Sequence, residues 1–167
     1  MNASIAFIAL GSNLGNSRRI ICEVIERLQK LSSTPLNKSS LWKTTPVDCP
    51  PDSPQFINAV VSFVPFPNET PESLLEKLQQ LEKELGRQPK KILNEARPLD
   101  LDLIAFGNET RFSEKLILPH PRAHERRFVL QPLNEIAPDL VLPGQVKPIS
   151  KLLDALTTKE VLQRIEV

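Results

Sequence analysis

This sequence predicts an α+β fold, and three observations carry the prediction. Short apolar runs are closed by glycine, asparagine or proline, as buried strands are. Between them lie two segments whose apolar residues recur at helical spacing. The length of 167 residues, 40% of them hydrophobic, suits one domain around one core.

Residues 5–10 read as a buried first strand, ended by Gly11. Residues 11–16 are a turn, with Asn16 or Ser17 placed to cap the first helix. Over 18–31, Ile21, Val24, Ile25, Leu28 and Leu31 form one helical face. Residues 39–43 are a second strand, 44–55 a proline-rich loop and 56–64 a third strand. Thr70 caps a second helix with Pro71 at its first position. Leu74, Leu75, Leu78, Leu81 and Leu85 line that helix, and Gly86 closes it. Residues 87–96 are charged and aperiodic, hence a loop. Residues 99–106 are a fourth strand that turns at Gly107-Asn108. A short strand over 116–118, a helix over 126–133 and a last helix near 149–156 complete the reading. The order β-α-β-β-α-β is that of a ferredoxin-like sandwich, here with a C-terminal extension, in a single domain over 1–167.

Composition excludes several classes. A net charge of +1 gives no basic surface for nucleic acid. No apolar run is long enough for a bilayer, and the apolar start has neither a basic leader nor a cleavage site. Two cysteines without a C-x-x-C motif indicate neither a disulfide framework nor a thiolate zinc site, and fit a reducing, cytoplasmic compartment. With five glycines there is no P-loop and no Gly-x-Gly-x-x-Gly fingerprint.

The chemistry concentrates in Arg97-Pro98-Leu99-Asp100-Leu101-Asp102-Leu103-Ile104. Residues two apart on a strand share a face. Asp100 and Asp102 therefore project together, and Leu99, Leu101 and Leu103 face the core. Two like charges side by side repel, and a hard divalent cation between them removes the conflict. A solvated acidic edge is the plainer alternative. Arg87, Lys90, Lys91 and Arg97 stand just upstream, where cations serve a polyphosphate. His120 and His124 are the only histidines. Pro119 and Pro121 disfavour a helical metal pair, so His120 reads as a donor to a phosphate or nucleotide and His124 as a surface residue. Phe56 and Phe128 are core residues by default, or rings that stack on a flat heterocycle. Asn58, two after Phe56, shares its face and offers an amide to a heterocycle edge.

These residues fall into a known order. Ala9-Leu10-Gly11-Ser12-Asn13-Leu14-Gly15, Phe56-Ile57-Asn58-Ala59-Val60, the Asp-x-Asp strand, Leu118-Pro119-His120-Pro121-Arg122 and Glu135-Ile136-Ala137-Pro138 together resemble the hydroxymethyldihydropterin pyrophosphokinase family of folate biosynthesis. The resemblance covers roughly residues 5–142. It implies transfer of pyrophosphate from ATP to the hydroxymethyl group of a reduced pterin, with AMP released. It implies that Asp100 and Asp102 hold two Mg²⁺ ions, with Arg97 and Arg87 near the phosphates. It places Gln79, Glu82, Leu103, Lys115, His120 and Arg126 at ATP. It places Thr44, Pro46, Val47, Asn58 and the rings of Phe56 and Phe128 around the pterin. The partners it implies are small molecules, and the chain is expected to act as a monomer.

The sequence departs from the better-known bacterial pattern in places. Pro89 stands for a second loop arginine, whose charge Lys90 or Lys91 can supply, and Asn94 stands for a tryptophan. Phe56 replaces a tyrosine, keeping the ring without the hydroxyl. Two other readings use the same acidic pair: a nucleotide-sugar transferase, and an interaction module with plain surface charge. The first needs a larger nucleotide-binding domain than this length allows. The second leaves Phe56, Asn58, Arg126 and Phe128 without a reason. Residues 44–55 and 87–96 are expected to act as lids over the phosphates.

Overall fold

The computed structural model describes residues 4–13, 17–45, 56–85, 99–158 and 160–165. Its centre is an antiparallel sheet. Strand β1 is Ala6–Ser12, β2 Asn37–Lys38, β3 Leu41–Thr45, β4 Phe56–Phe63 and β5 Asp100–Phe106. The hairpin strands β6 and β7 are Arg111–Phe112 and Ile117–Leu118, and β8 is Val161–Ile165. Helices α1 (Ser17–Gln29), α2 (Pro71–Leu85), α3 (Arg127–Ile136) and α4 (Ile149–Asp154) pack on it. The sheet order is β5-β1-β4-β3-β8, with β2 also on β4. Its first four strands are the ferredoxin-like core that the element order predicts.

Alternation along each strand builds two cores. Ala6, Ile8 and Leu10 of β1 meet Ile21, Val24 and Leu28 of α1 and Leu74, Leu78 and Leu81 of α2 on one face. Leu99, Leu101 and Leu103 join this core, as the period-two reading requires. Phe7, Ala9 and Val60 point the opposite way, against Val129, Leu130 and Leu133 of α3 and Ile149 of α4. The C-terminal extension is therefore a third layer over the second face of the sheet.

Thr70 caps α2 as expected. Its Oγ1 accepts the Ser73 N–H at 3.0 Å, and Ser73 Oγ accepts the Thr70 N–H at 2.9 Å.

Some boundaries differ from expectation. Gly11 does not end β1, which runs on to Ser12, because β4 and β5 offer ladder partners on both sides. The second strand is split into β2 and β3. At the split, Ser39 Oγ accepts the Val60 N–H, and Ser39 N–H donates to the Val60 carbonyl. Ser17 lies inside α1 rather than before it, and its hydroxyl meets Ser12 Oγ at 2.9 Å. The loop expected from residue 44 has Thr44 and Thr45 still in β3.

Candidate active site

Sheet register assembles the site from strands distant in sequence. Asp100 on β5 pairs with Gly11 on β1, Gly11 with Asn58 on β4, and Asn58 with Trp42 on β3. This row crosses the sheet on the face that carries α3. One step along, Asp102 pairs with Ala9, and Ala9 with Val60. With strands about 4.8 Å apart, Asp100 and Asn58 stand roughly 10 Å apart across Gly11. A Cβ on Gly11 would lie 3.1 Å from Asn58 Oδ1. The bare glycine thus leaves the floor open between a carboxylate and an amide.

Asn58 is buried and held in place. Its Nδ2 donates to Thr44 Oγ1 at 2.6 Å, which leaves Oδ1 for another donor. Phe56, the register partner of Thr44, is 41% exposed at the start of β4. At the start of α3, the Arg126 guanidinium carbon lies 5.5 Å from the centre of the Phe128 ring.

The carboxylates are electrostatically frustrated. Burial pushes the Asp102 carboxyl up to about 7, helped by the charge of Asp100 and then of Glu82, against the pull of Arg126. Among the described residues no lysine or arginine forms an ion pair with either. A cation here would offset the charges of Asp100 and Glu82 at Asp102, and two hard oxygen donors side by side suit Mg²⁺. No cluster of three or more His, Cys, Asp or Glu ligands occurs among the described residues.

A cleft of about 250 Å³ opens along the outer edge of β5. Asp102, Leu103, Lys115 and His120 line it, facing Leu75 of α2. Its two ends are tied. The Leu101 N–H donates to Glu82 Oε2 at 3.1 Å, and the His120 N–H donates to the Ile104 carbonyl at 2.9 Å. Burial first, then Arg126, lowers the His120 pKa. Its Nδ1 accepts the Arg122 N–H at 3.2 Å, so the neutral ring carries its proton on Nε2. Gln79 is exposed on α2, one turn after Leu75 and on the face that also carries Glu82.

The structure thus brings Asp100, Asp102, Glu82, Leu103, Lys115, His120 and Arg126 to one side of the row. Thr44, Phe56, Asn58 and Phe128 lie toward the other. Arg87, Arg97, Pro46, Val47, Lys90, Lys91, Pro89 and Asn94 lie outside the described residues. Gly11 and Leu75 were missed as site residues. In sequence Gly11 reads as a strand terminator, and Leu75 as one more leucine of a core stripe.

A family model described as 7,8-dihydro-6-hydroxymethylpterin-pyrophosphokinase (HPPK) matches residues 7–138. The chain belongs to this family. Pyrophosphokinase chemistry in folate biosynthesis, with ATP as co-substrate, comes with that membership. The chain is 42% identical over 140 residues to the 2-amino-4-hydroxy-6-hydroxymethyldihydropteridine pyrophosphokinase of Haemophilus influenzae, covering 83% of this chain and 85% of that one. It is 44% identical over 137 residues to the folic acid synthesis protein fol1 of Pneumocystis carinii, covering 82% of this chain and 18% of that much longer one. The solved HPPK-DHPS structure of Plasmodium falciparum with pteroate superposes with a TM-score of 0.72 at 15% identity, covering 92% of this chain and 44% of that one. That likeness shows the shared fold. The pyrophosphokinase family membership removes the sugar-transferase and interaction-module readings.

Proposed function

We propose that the row Asp100–Gly11–Asn58 is where pyrophosphate passes from ATP to the hydroxymethyl group of 6-hydroxymethyl-7,8-dihydropterin. In this reading the cleft along β5 takes the nucleotide. Lys115 and the Nε2–H of His120 meet its phosphates, and Leu75 and Leu103 give it an apolar wall. Gln79 and Glu82 lie along the same helix edge. Asp100 and Asp102 hold Mg²⁺, which when bound neutralises charge on the phosphate chain and orients it. Arg126 stands between the Phe128 ring and Asp102, placed to neutralise the charge that develops on transfer. Arg97 and Arg87 are assigned to the phosphates on the resemblance alone.

The pterin lies between the rings of Phe56 and Phe128. Asn58 reads its edge, with Thr44 fixing the amide; Pro46 and Val47 are assigned to the pterin on the resemblance alone. The pterin hydroxyl oxygen bonds to the β-phosphorus, the bond from that phosphorus to the bridging α–β oxygen breaks, and AMP leaves. The hydroxyl proton is released as the new bond forms.

The observation that carries this reading is the register. It sets a carboxylate pair and a buried amide on one face, roughly two strands apart, across a residue with no side chain. Action as a monomer, in a single pyrophosphokinase domain over 1–167, belongs to the same reading. The sparse cysteines, of which Cys22 is a free thiol, support a cytoplasmic setting. Among the described residues no helix is long and apolar enough to cross a membrane. With Mg²⁺, ATP and the reduced pterin, the purified protein is expected to release AMP. Release of ADP, or no turnover, contradicts the reading.

A further inference from the structure

We propose that Glu135 is a positioning residue for the pterin side of the site, an inference that rests on the functional reading above. Glu135 stands two turns after Phe128 on α3, and residues at that spacing share a helix face. Its carboxylate is exposed, yet it gathers donors from one short stretch of chain. It accepts the Ser40 N–H at 3.2 and 3.3 Å, the Ser40 hydroxyl at 2.8 Å and the Trp42 indole N–H at 2.5 Å. A carboxylate in water needs none of these partners. What the set does is fasten β3 to α3.

The consequence reaches the site through the sheet. Trp42 is the register partner of Asn58, and Thr44, two residues on, accepts the Asn58 amide. β3 then leads into the segment that contains Pro46 and Val47. Phe128, at the other end of α3, is one wall of the proposed pterin slot. Glu135 therefore fixes the spacing between a ring carried by a helix and an amide carried by a sheet. The nucleotide cleft lies across β1 at the far edge, on β5. Loss of the clamp should loosen the pterin side alone.

Trp42 is the only tryptophan, and there is no tyrosine, so its emission reports the clamp directly. In Glu135→Ala the KM for pterin is expected to rise about tenfold, the scale of a lost hydrogen bond to a charged group. The KM for ATP stays within about twofold, and Trp42 emission shifts. Glu135→Gln, which keeps an oxygen for the indole, should fall between wild type and Glu135→Ala. Trp42→Phe removes only the indole donor and should raise the pterin KM less, in the same direction. Nucleotide affinity measured by calorimetry serves as the check on folding. Equal rises in both KM values, or an unchanged pterin KM in Glu135→Ala and Trp42→Phe, overturn the inference. Wild-type protein that releases no AMP refutes the functional reading instead, so the two failures are distinct.

Discussion

Asp102 keeps its proton up to about pH 7 because burial, then the charge of Asp100, oppose ionisation. The unfolded chain releases that proton near pH 4. Between these values the folded state binds more protons than the unfolded one, so stability falls as pH rises through the window. Denaturant midpoints in chelator should therefore decline from about pH 4 to about pH 7 and then level off. Asp102→Asn should flatten this dependence, and Mg²⁺ should restore stability at the alkaline end. An Asn variant with an unchanged slope would refute the account of Asp102. Phe128 gives a second residue-scale test. Phe128→Ala should weaken pterin binding by ~1–3 kcal/mol, the range for a lost stacking partner. Unchanged affinity by calorimetry would remove Phe128 from the slot.

α2 shows how an element carries a site without being part of the chemistry at its start. Its first turn is closed by the reciprocal Thr70–Ser73 pair, and its later turns bring Leu75 to the cleft and Glu82 to the Leu101 N–H. Thr70→Ala removes the cap and should cost about 1 kcal/mol, a fall in Tm of roughly 2–4 °C. Both KM values should stay the same, because the cap lies at the end of the helix away from Glu82. A kinetic change without a change in Tm would contradict this separation. The helix was legible because cap, proline and leucine spacing agree. β6 and β7 were harder, since two residues each give no period to read. β8 was missed because it is an edge strand with little burial, so its apolar residues do not stand out against their neighbours.

For the whole molecule, the element order gave the topology of the four central strands, and the length left room for the added layer. The acidic pair was legible because a strand's period of two is written in adjacent residues. The relation of Asp100 to Asn58 was not, because it depends on register across β1, and the residue between them is a glycine that carries no polarity signal. The Glu135 clamp was hidden for a similar reason: its partners are some ninety residues away in sequence. In the proposed reading, the fold sets the nucleotide cleft at the β5 edge and the pterin slot near the middle of the sheet, along a single row. The most direct test of that arrangement is to identify the nucleotide product by chromatography, with Mg²⁺, ATP and the reduced pterin supplied together. The account predicts AMP from the wild-type chain, and a loss of roughly several orders of magnitude in Asp102→Ala. ADP as the product, or wild-type rates in Asp102→Ala, would contradict it.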